Sequence, residues 1–318
     1  MIDEPGPNAI KESDTEQQLV AGSDRQHAPS ARQPQPWGRA DRNRLLIWVG
    51  IAFILPLPFV WAFHHWIQPA GSVFTIQGEL PIKAIISFFV LLATWIVSRM
   101  EKRPLDDHGI PPRQAFGKRF WEGSVWGFAA LSALLLILRL SGHFQIDSVA
   151  LSGGTVFRYA LGWAVVFLAV SISEELAFRG YWLFSFARRI RFWPAALFTS
   201  VVFGAAHLGN PGENALGILQ VIAVGLLLCL TLRRTGNLWF ALGFHAAWDW
   251  AETFFYGTPD SGLLGVGRFL KSSVQGPTWL TGGSAGPEGS VLVFFVFVLC
   301  ALLILLRFPK VIYPDRPV

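Results

Sequence analysis

Charged side chains are scarce in this sequence. Asp, Glu, Lys and Arg make up 15% of its 318 residues, whereas an ordinary soluble domain carries about 25%. Hydrophobic residues account for 52% of the chain. This composition excludes a soluble globular domain and predicts an integral membrane protein. The net charge of +5 does not indicate nucleic-acid binding, because the basic residues are not gathered on one amphipathic surface.

Cysteine is scarce as well. The two cysteines, Cys229 and Cys300, both lie inside apolar runs, which excludes a disulfide scaffold and is typical of buried core thiols. The sequence also lacks an internal repeat, a Walker motif, a cysteine-rich metal site and a Rossmann glycine pattern. These absences leave the apolar runs and the polar groups inside them as the informative features.

Long apolar runs follow a polar tail, residues 1–43, that is too poor in apolar positions to order itself. A helix needs roughly 17–25 apolar residues to cross the bilayer. Runs of that kind lie at about 45–66, 82–99, 122–140, 159–186, 192–208, 215–232, 237–256 and 289–307. We therefore predict an all-α, polytopic transmembrane bundle of about eight helices, with residues 44–157 forming the first spans and an interfacial loop.

The basic residues alternate between the loops. They cluster in the tail, in the second, fourth and sixth loops and at the C-terminus, while the intervening loops contain few. Cytoplasmic loops carry such an excess of Lys and Arg, so both termini are predicted to be cytoplasmic. Residues 257–288, rich in Gly, Ser and Pro, are predicted to be a flexible extracytoplasmic loop. Residues 289–318 would be the last helix and a short tail.

Ionisable residues interrupt the fourth run. Glu174, Glu175 and Arg179 lie in Ser-Glu-Glu-Leu-Ala-Phe-Arg, and an ionisable group at bilayer depth costs a few kcal/mol or more, so it needs a partner or a function. Glu175 and Arg179 are four residues apart and can pair on one helix face. Glu174 points about 100° away from Glu175. It is therefore not part of this ion pair and needs a different partner or function.

Two later runs carry histidines at a similar depth. Phe203 and His207 are four residues apart, as are His245 and Asp249, so each pair shares a helix face. At 1.5 Å per residue, Glu174, both histidines and Asp249 fall roughly 12–23 Å from the cytoplasmic boundary. We therefore expect them to meet in one cavity.

Several interpretations of this set stay open on residue chemistry alone. A carboxylate can take a proton from water, while imidazole orients the water or donates to an oxyanion. Glu174, His207 and His245 could instead ligate one divalent metal such as zinc, since two His and one carboxylate form a known catalytic set. Each pair could also be purely structural and hold the bundle together.

The three motifs resemble those of the CPBP intramembrane proteases, which include type II CAAX prenyl endopeptidases and bacterial Abi-type members. The matching elements are Glu174-Glu175-x-x-x-Arg179, Phe203-x-x-x-His207 and His245-x-x-x-Asp249, in that order, and the resemblance covers about residues 158–256. It implies a protease core there and a location in the bacterial cytoplasmic membrane.

The resemblance also implies roles for these residues. Glu174 would activate water, His207 would position it, and His245 would stabilise the oxyanion with Asp249 orienting it. Glu175, Arg179 and Phe203 would support the site. The family is named a metalloprotease family, yet a mechanism without metal is also argued for it, so both one divalent metal and none stay open.

The sequence thus leads to the hypothesis of an intramembrane endopeptidase acting on a peptide or protein substrate, such as a membrane-anchored one, in contact with lipid. One alternative is a non-enzymatic scaffold or immunity protein whose polar cluster is structural. Another is a proton-coupled transporter, which would favour inverted repeats that are not visible here.

Overall fold

A computed structural model describes residues 38–67, 74–210 and 214–313. Most of the predicted disordered tail therefore lies outside the described residues. Helix begins at Arg39, so the tail ends earlier than the predicted boundary at residue 43. The helical run continues through Arg42 and Arg44 because these long side chains are good helix formers.

Helices dominate the described part of the chain, which confirms the all-α class. The α-helices are α1 Arg39–Val49, α2 Leu57–Trp66, α3 Ile76–Glu101, α4 Lys118–Leu140, α5 Gly154–Arg179, α6 Tyr181–Ile190, α7 Phe192–Ala206, α8 Ala215–Thr235, α9 Trp239–Trp250, α10 Thr278–Thr281 and α11 Leu292–Arg307. Wider helical turns extend α1 over Gly50–Ile54 and α9 over Ala251–Tyr256. Short 3₁₀ turns occupy Leu105–His108, Pro112–Gln114 and Pro287–Gly289.

Each of the eight predicted runs is helical. Five helical stretches in the described residues are long and apolar enough to cross a membrane, namely Arg39–Trp66, Ile76–Glu101, Lys118–Leu140, Gly154–Ile190 and Ala215–Thr235. Phe192–Ala206 and Leu292–Arg307 are apolar but shorter. The chain is thus an integral membrane protein, while the count of eight spans and the cytoplasmic placement of both termini stay predictions.

The fourth predicted run, 159–186, is broken at Gly180. This residue has a non-helical backbone (φ −82°, ψ −120°) and separates α5 from α6. A Cβ at Gly180 would lie 2.4 Å from the carbonyl oxygen of Leu176, so the turn requires glycine. The break places Arg179 at the very end of α5, where its side chain lies fully buried.

Helices α4 and α9 touch through their backbones. A Cβ added at Gly123, Gly127 or Gly243 would lie about 2 Å from the carbonyl oxygen of Phe240, Phe244 or Phe120 respectively. Small residues allow such close approach between helices in membranes. Helix α9, which carries His245 and Asp249, is therefore held at a fixed distance from α4.

The segment 257–288 is more regular than the sequence predicts. Strand β2, Leu270–Val274, pairs antiparallel with β1, Phe144–Val149, with an irregularity between Ile146 and Ser148. The glycines of this segment have a specific use: Gly282 and Gly286 have φ of 83° and 114°, conformations that favour glycine. The glycines therefore supply turns within this segment, and its placement as a flexible extracytoplasmic loop stays a prediction.

We expect Gly127→Ala to destabilise the protein. The new methyl group has no room against the Phe244 carbonyl, and overpacking of this kind costs roughly 1–3 kcal/mol or more. Gly50→Ala is the matched control, because a Cβ there meets nothing within 4 Å. Thermal unfolding in detergent should show a lower Tm for Gly127→Ala alone; equal Tm values for the two variants would contradict the backbone contact.

Candidate functional site

A cavity of about 320 Å³ lies between the helices and the 257–288 segment. Five of the residues singled out from the sequence line it: Glu174, Phe203, His207, His245 and Asp249. Glu175 and Arg179 are not part of the lining; both are fully buried behind it. Side chains from α5, α7 and α9 thus meet around one space, as the matched depths predicted.

Glu174 faces the cavity from α5. Its Oε2 lies 3.8 Å from His245 Nε2, and its Oε1 lies 3.7 Å from Nζ of Lys83 on α3. Both distances are longer than a direct hydrogen bond, which leaves room for a bridging water. About a fifth of the Glu174 side chain is exposed (22%), so the carboxylate is accessible from the cavity.

Glu175, the adjacent residue, points away from the cavity. Its Oε1 accepts hydrogen bonds from Arg179 Nη1 at 2.7 Å and from His245 Nδ1 at 2.8 Å. The i,i+4 partner of Glu175 is therefore the one that the sequence predicted. The second contact was not predicted, and it joins α5 to α9 and fixes the orientation of the His245 ring.

His245 is surrounded by carboxylates. With Nδ1 directed at Glu175, Nε2 faces the cavity, where Asp249 Oδ2 lies 3.3 Å away and Glu174 Oε2 3.8 Å away. We expected Asp249 to hold this ring. In the structure Asp249 approaches the cavity-facing nitrogen, and Glu175 holds the opposite one.

Arg179 connects this network to α7 and α8. Its guanidinium lies over the Phe203 ring, 4.3 Å from the ring centroid, a favourable cation–π geometry. On α8, a Cβ at Gly225 would lie 2.9 Å from Arg179 Nη2, so the absence of a side chain at Gly225 makes space for the guanidinium. Phe203 thus contacts the buried cation as well as the histidine that follows it.

His207 lies at the end of α7 and lines the cavity. The helix ends at Ala206, and His207 is its half-buried C-cap residue. Its Nδ1 lies 2.9 Å from the Phe203 carbonyl, which can only accept, so Nδ1 donates and Nε2 is left for the cavity. The Phe203 ring makes an edge-on contact with the imidazole, with centroids 4.6 Å apart.

Sequence reasoning missed several polar residues that line the cavity. Lys83 and Glu79 come from α3, and Gln220 comes from α8. Lys83 and Glu79 are four residues apart at the start of the second apolar run, a spacing that could have indicated a polar face there. They were missed because the motif-bearing segment begins only after α4.

The metal hypothesis can be compared with the donor geometry. A metal site needs at least three His, Cys, Asp or Glu side chains whose ligand atoms lie close together. Among the described residues, one such group has all its ligand atoms within 4.8 Å of one another, and it consists of Glu252, Asp260 and Glu288. Glu174, His207 and His245 do not form such a group, so these three side chains as they stand do not fit a preassembled zinc set. We therefore derive no catalytic step through a metal.

Comparison with known proteins identifies the segment that carries the site. Residues 155–251 match the family model described as type II CAAX prenyl endopeptidase Rce1-like. This range includes all three motifs and nearly coincides with the 158–256 segment predicted from them. No curated protein and no solved structure matches the chain.

Arg179→Met should destabilise the fold strongly. It leaves the Glu175 carboxylate buried without its guanidinium partner, and breaking a buried pair in this way costs about 3–5 kcal/mol. Arg44→Met is the matched control, since Arg44 and Asp41 are 3.4 Å apart with both side chains 27% exposed, and such pairs contribute about 0–1 kcal/mol. The stability of both variants is measured by unfolding in detergent. An equal loss of stability in Arg179→Met and Arg44→Met would contradict the proposed role of the buried network.

Proposed function

Since this chain belongs, through residues 155–251, to the family of CAAX-type membrane proteases, we propose that it hydrolyses a peptide bond with a water activated by Glu174. The observation that carries the proposal is the pair of groups facing each other across the cavity: the Glu174 carboxylate and His245 Nε2, 3.8 Å apart. A base and a donor at this separation can act on one water and one carbonyl.

The first step is attack on the substrate carbonyl. Glu174 takes a proton from water as the new C–O bond forms, and the carbonyl π electrons move to oxygen to give a tetrahedral oxyanion. The Nε2 of His207 faces the same cavity and accepts the second hydrogen of the water, which orients it.

His245 stabilises the oxyanion in this proposal. Because Nδ1 donates to Glu175, a second donor at Nε2 requires the imidazolium form of the ring. Three carboxylates around the ring, from Glu174, Glu175 and Asp249, provide the negative charge that balances it. Collapse of the tetrahedral intermediate then breaks the C–N bond, and Glu174 returns its proton to the leaving amine.

Asp249 orients His245 in this scheme. Its Oδ2 lies 3.3 Å from Nε2, close enough to attract the ring but unsuited to an oxyanion, since a second anion there would be repelled. Asp249 therefore acts through His245 and is not itself a donor to substrate.

The substrate class we propose is a peptide or protein held at the membrane. Phenylalanines Phe167, Phe178 and Phe244 line the cavity beside the polar groups, and an apolar wall with few polar groups is typical of a binding site. The family description names a CAAX prenyl endopeptidase, and a lipidated segment fits this apolar wall. The chemistry itself requires only the peptide bond.

Glu174→Gln should abolish cleavage and leave the fold intact. The amide keeps the shape of the side chain but cannot take a proton from water, and loss of such a base lowers the rate by about 10²–10⁴-fold. His207→Ala should also reduce kcat strongly, because the water loses its acceptor. Cleavage of membrane-anchored peptides, including a prenylated one and an unmodified one, gives the activity.

The control for these variants is Glu122→Gln on α4, which removes a carboxylate paired with Arg119 and Arg307 outside the cavity. Wild-type activity in Glu174→Gln would refute the proposal. Unfolding of Glu174→Gln in detergent, with Glu122→Gln stable, would instead support the structural interpretation of the polar cluster.

Lys83→Met should lower kcat about tenfold with little change in KM. The ammonium group lies 3.7 Å from Glu174 Oε1 and holds the carboxylate in its cavity-facing position, so it is a positioning residue. Lys83→Arg keeps the charge and should restore most of the rate. A Lys83→Met enzyme with wild-type kcat, or an Arg variant as slow as the Met variant, would exclude this role.

A further inference from the structure

Three carboxylates converge at the end of α9, outside the segment that matches the protease family. Glu252, Asp260 and Glu288 each offer an oxygen, and the three oxygens lie within 4.8 Å of one another. Glu252 belongs to the helical extension of α9, while Asp260 and Glu288 belong to the 257–288 segment. The cluster thus joins a helix to two distant points of that segment.

Glu252 is the most deeply buried member. Its side chain has no solvent exposure, and its Oε2 accepts a hydrogen bond from Trp248 Nε1 at 3.0 Å. Among the described residues its Oε1 is buried without any hydrogen-bond partner. This oxygen faces the turn that leads to Glu288, because a Cβ at Gly286 would lie only 3.4 Å from it. A buried carboxylate oxygen without a partner is costly unless a ligand satisfies it.

The other two carboxylates are held in place by uncharged donors. Asp260 Oδ2 accepts from Thr253 Oγ1 at 3.1 Å, and Glu288 Oε1 accepts from the backbone amide and the hydroxyl of Ser261 at 2.7 and 3.1 Å. These hydrogen bonds fix the positions of the Asp260 and Glu288 carboxylates. In the described part of the chain neither Glu252 nor Asp260 is within 4.0 Å of a Lys or Arg nitrogen.

The cluster brings two further carboxylates, from Asp260 and Glu288, to the fully buried Glu252. Like charges gathered in a poorly hydrated place need either protons or a cation.

Gln220 is another buried polar side chain at the same cavity. Its side chain is 3% exposed, and its amide oxygen Oε1 is buried without a hydrogen-bond partner among the described residues. Gln220 lies on α8, the helix that contacts the Pro287–Gly289 turn, and it lines the same cavity as Asp260 and Glu288. A neutral carbonyl oxygen of this kind is a common ligand for a hard cation.

We propose that Glu252, Asp260 and Glu288 bind one hard divalent cation, Ca²⁺ or Mg²⁺. The ligand set consists of oxygen atoms, which suits these ions and does not favour zinc or copper. The bound cation satisfies the buried Glu252 Oε1 and ties the 257–288 segment to α9, next to the cavity. Two of the three ligands, Asp260 and Glu288, line the cavity, but the cation-binding proposal does not require peptidase activity.

Cation-dependent stability of the full chain in detergent tests the proposal. Protein stripped with EDTA and exchanged into cation-free buffer is titrated with CaCl₂, with MgCl₂ or with ZnCl₂, and Tm is measured. A ligand that binds only the folded state raises Tm in a saturable way, so Ca²⁺ or Mg²⁺ should raise it by several degrees. Equilibrium dialysis should find one ion per chain. The ion is identified as the one of Ca²⁺ and Mg²⁺ that gives the larger rise in Tm.

Variants with neutral side chains distinguish a bound cation from carboxylates that share protons. Asp260→Asn and Glu288→Gln should remove the cation response while leaving the cation-free protein as stable as wild type or more so, because repulsion is relieved. Asp147→Asn, an exposed carboxylate on β1, is the matched control and should keep the full response.

Two results would overturn the proposal. The first is a wild-type Tm that neither Ca²⁺ nor Mg²⁺ changes, combined with higher cation-free stability in Asp260→Asn and Glu288→Gln, since this is the behaviour of carboxylates that share protons. The second is a cation response of equal size in wild type, both cluster variants and Asp147→Asn, which would assign binding to other surface carboxylates.

Discussion

One buried carboxylate oxygen holds the bundle around its site. Glu175 Oε1 accepts from Arg179 on its own helix and from His245 on α9. Through Arg179 the same network reaches Phe203 on α7 and the close approach of α8 at Gly225. In an apolar interior an ionised group needs a partner of opposite charge, and the contacts of the Glu175–Arg179 pair with α7, α8 and α9 are made only when these four helices pack as they do here. The chemistry of the cavity depends on this arrangement.

Two neighbouring acids of one helix have different tasks because a helix turns by about 100° per residue. Glu175 points inward and serves structure; Glu174 points into the cavity, where a fifth of its side chain is exposed. His245 is shared between them, held by Glu175 at Nδ1 and presented to Glu174 at Nε2. One imidazole therefore links the buried pair to the carboxylate that faces the cavity. Asp249 places a carboxylate next to His245, and Lys83 places an ammonium group next to Glu174.

Local patterns predicted much of this site, and contacts between distant segments were the part that they could not reach. Hydrophobic length located the helices, and i,i+4 spacing identified Glu175 with Arg179 and His245 with Asp249. The contact between Glu175 and His245 depends on how α5 packs on α9, which no spacing encodes. Lys83 was missed for the same reason, because its helix lies outside the motifs. The break at Gly180 and the strand in 257–288 were missed. A glycine in a sequence indicates that the backbone can adopt unusual conformations, but a turn, a helix break and a mobile loop all use this freedom.

The glycine contacts between α4 and α9 have a consequence for how a polypeptide reaches the cavity. Where main chains touch directly, no side-chain rotation can create space, so these two helices act as one rigid wall. The wall of the cavity that carries His245 and Asp249 is therefore its fixed wall. A change in the width of the cavity has to come from movement of its other walls.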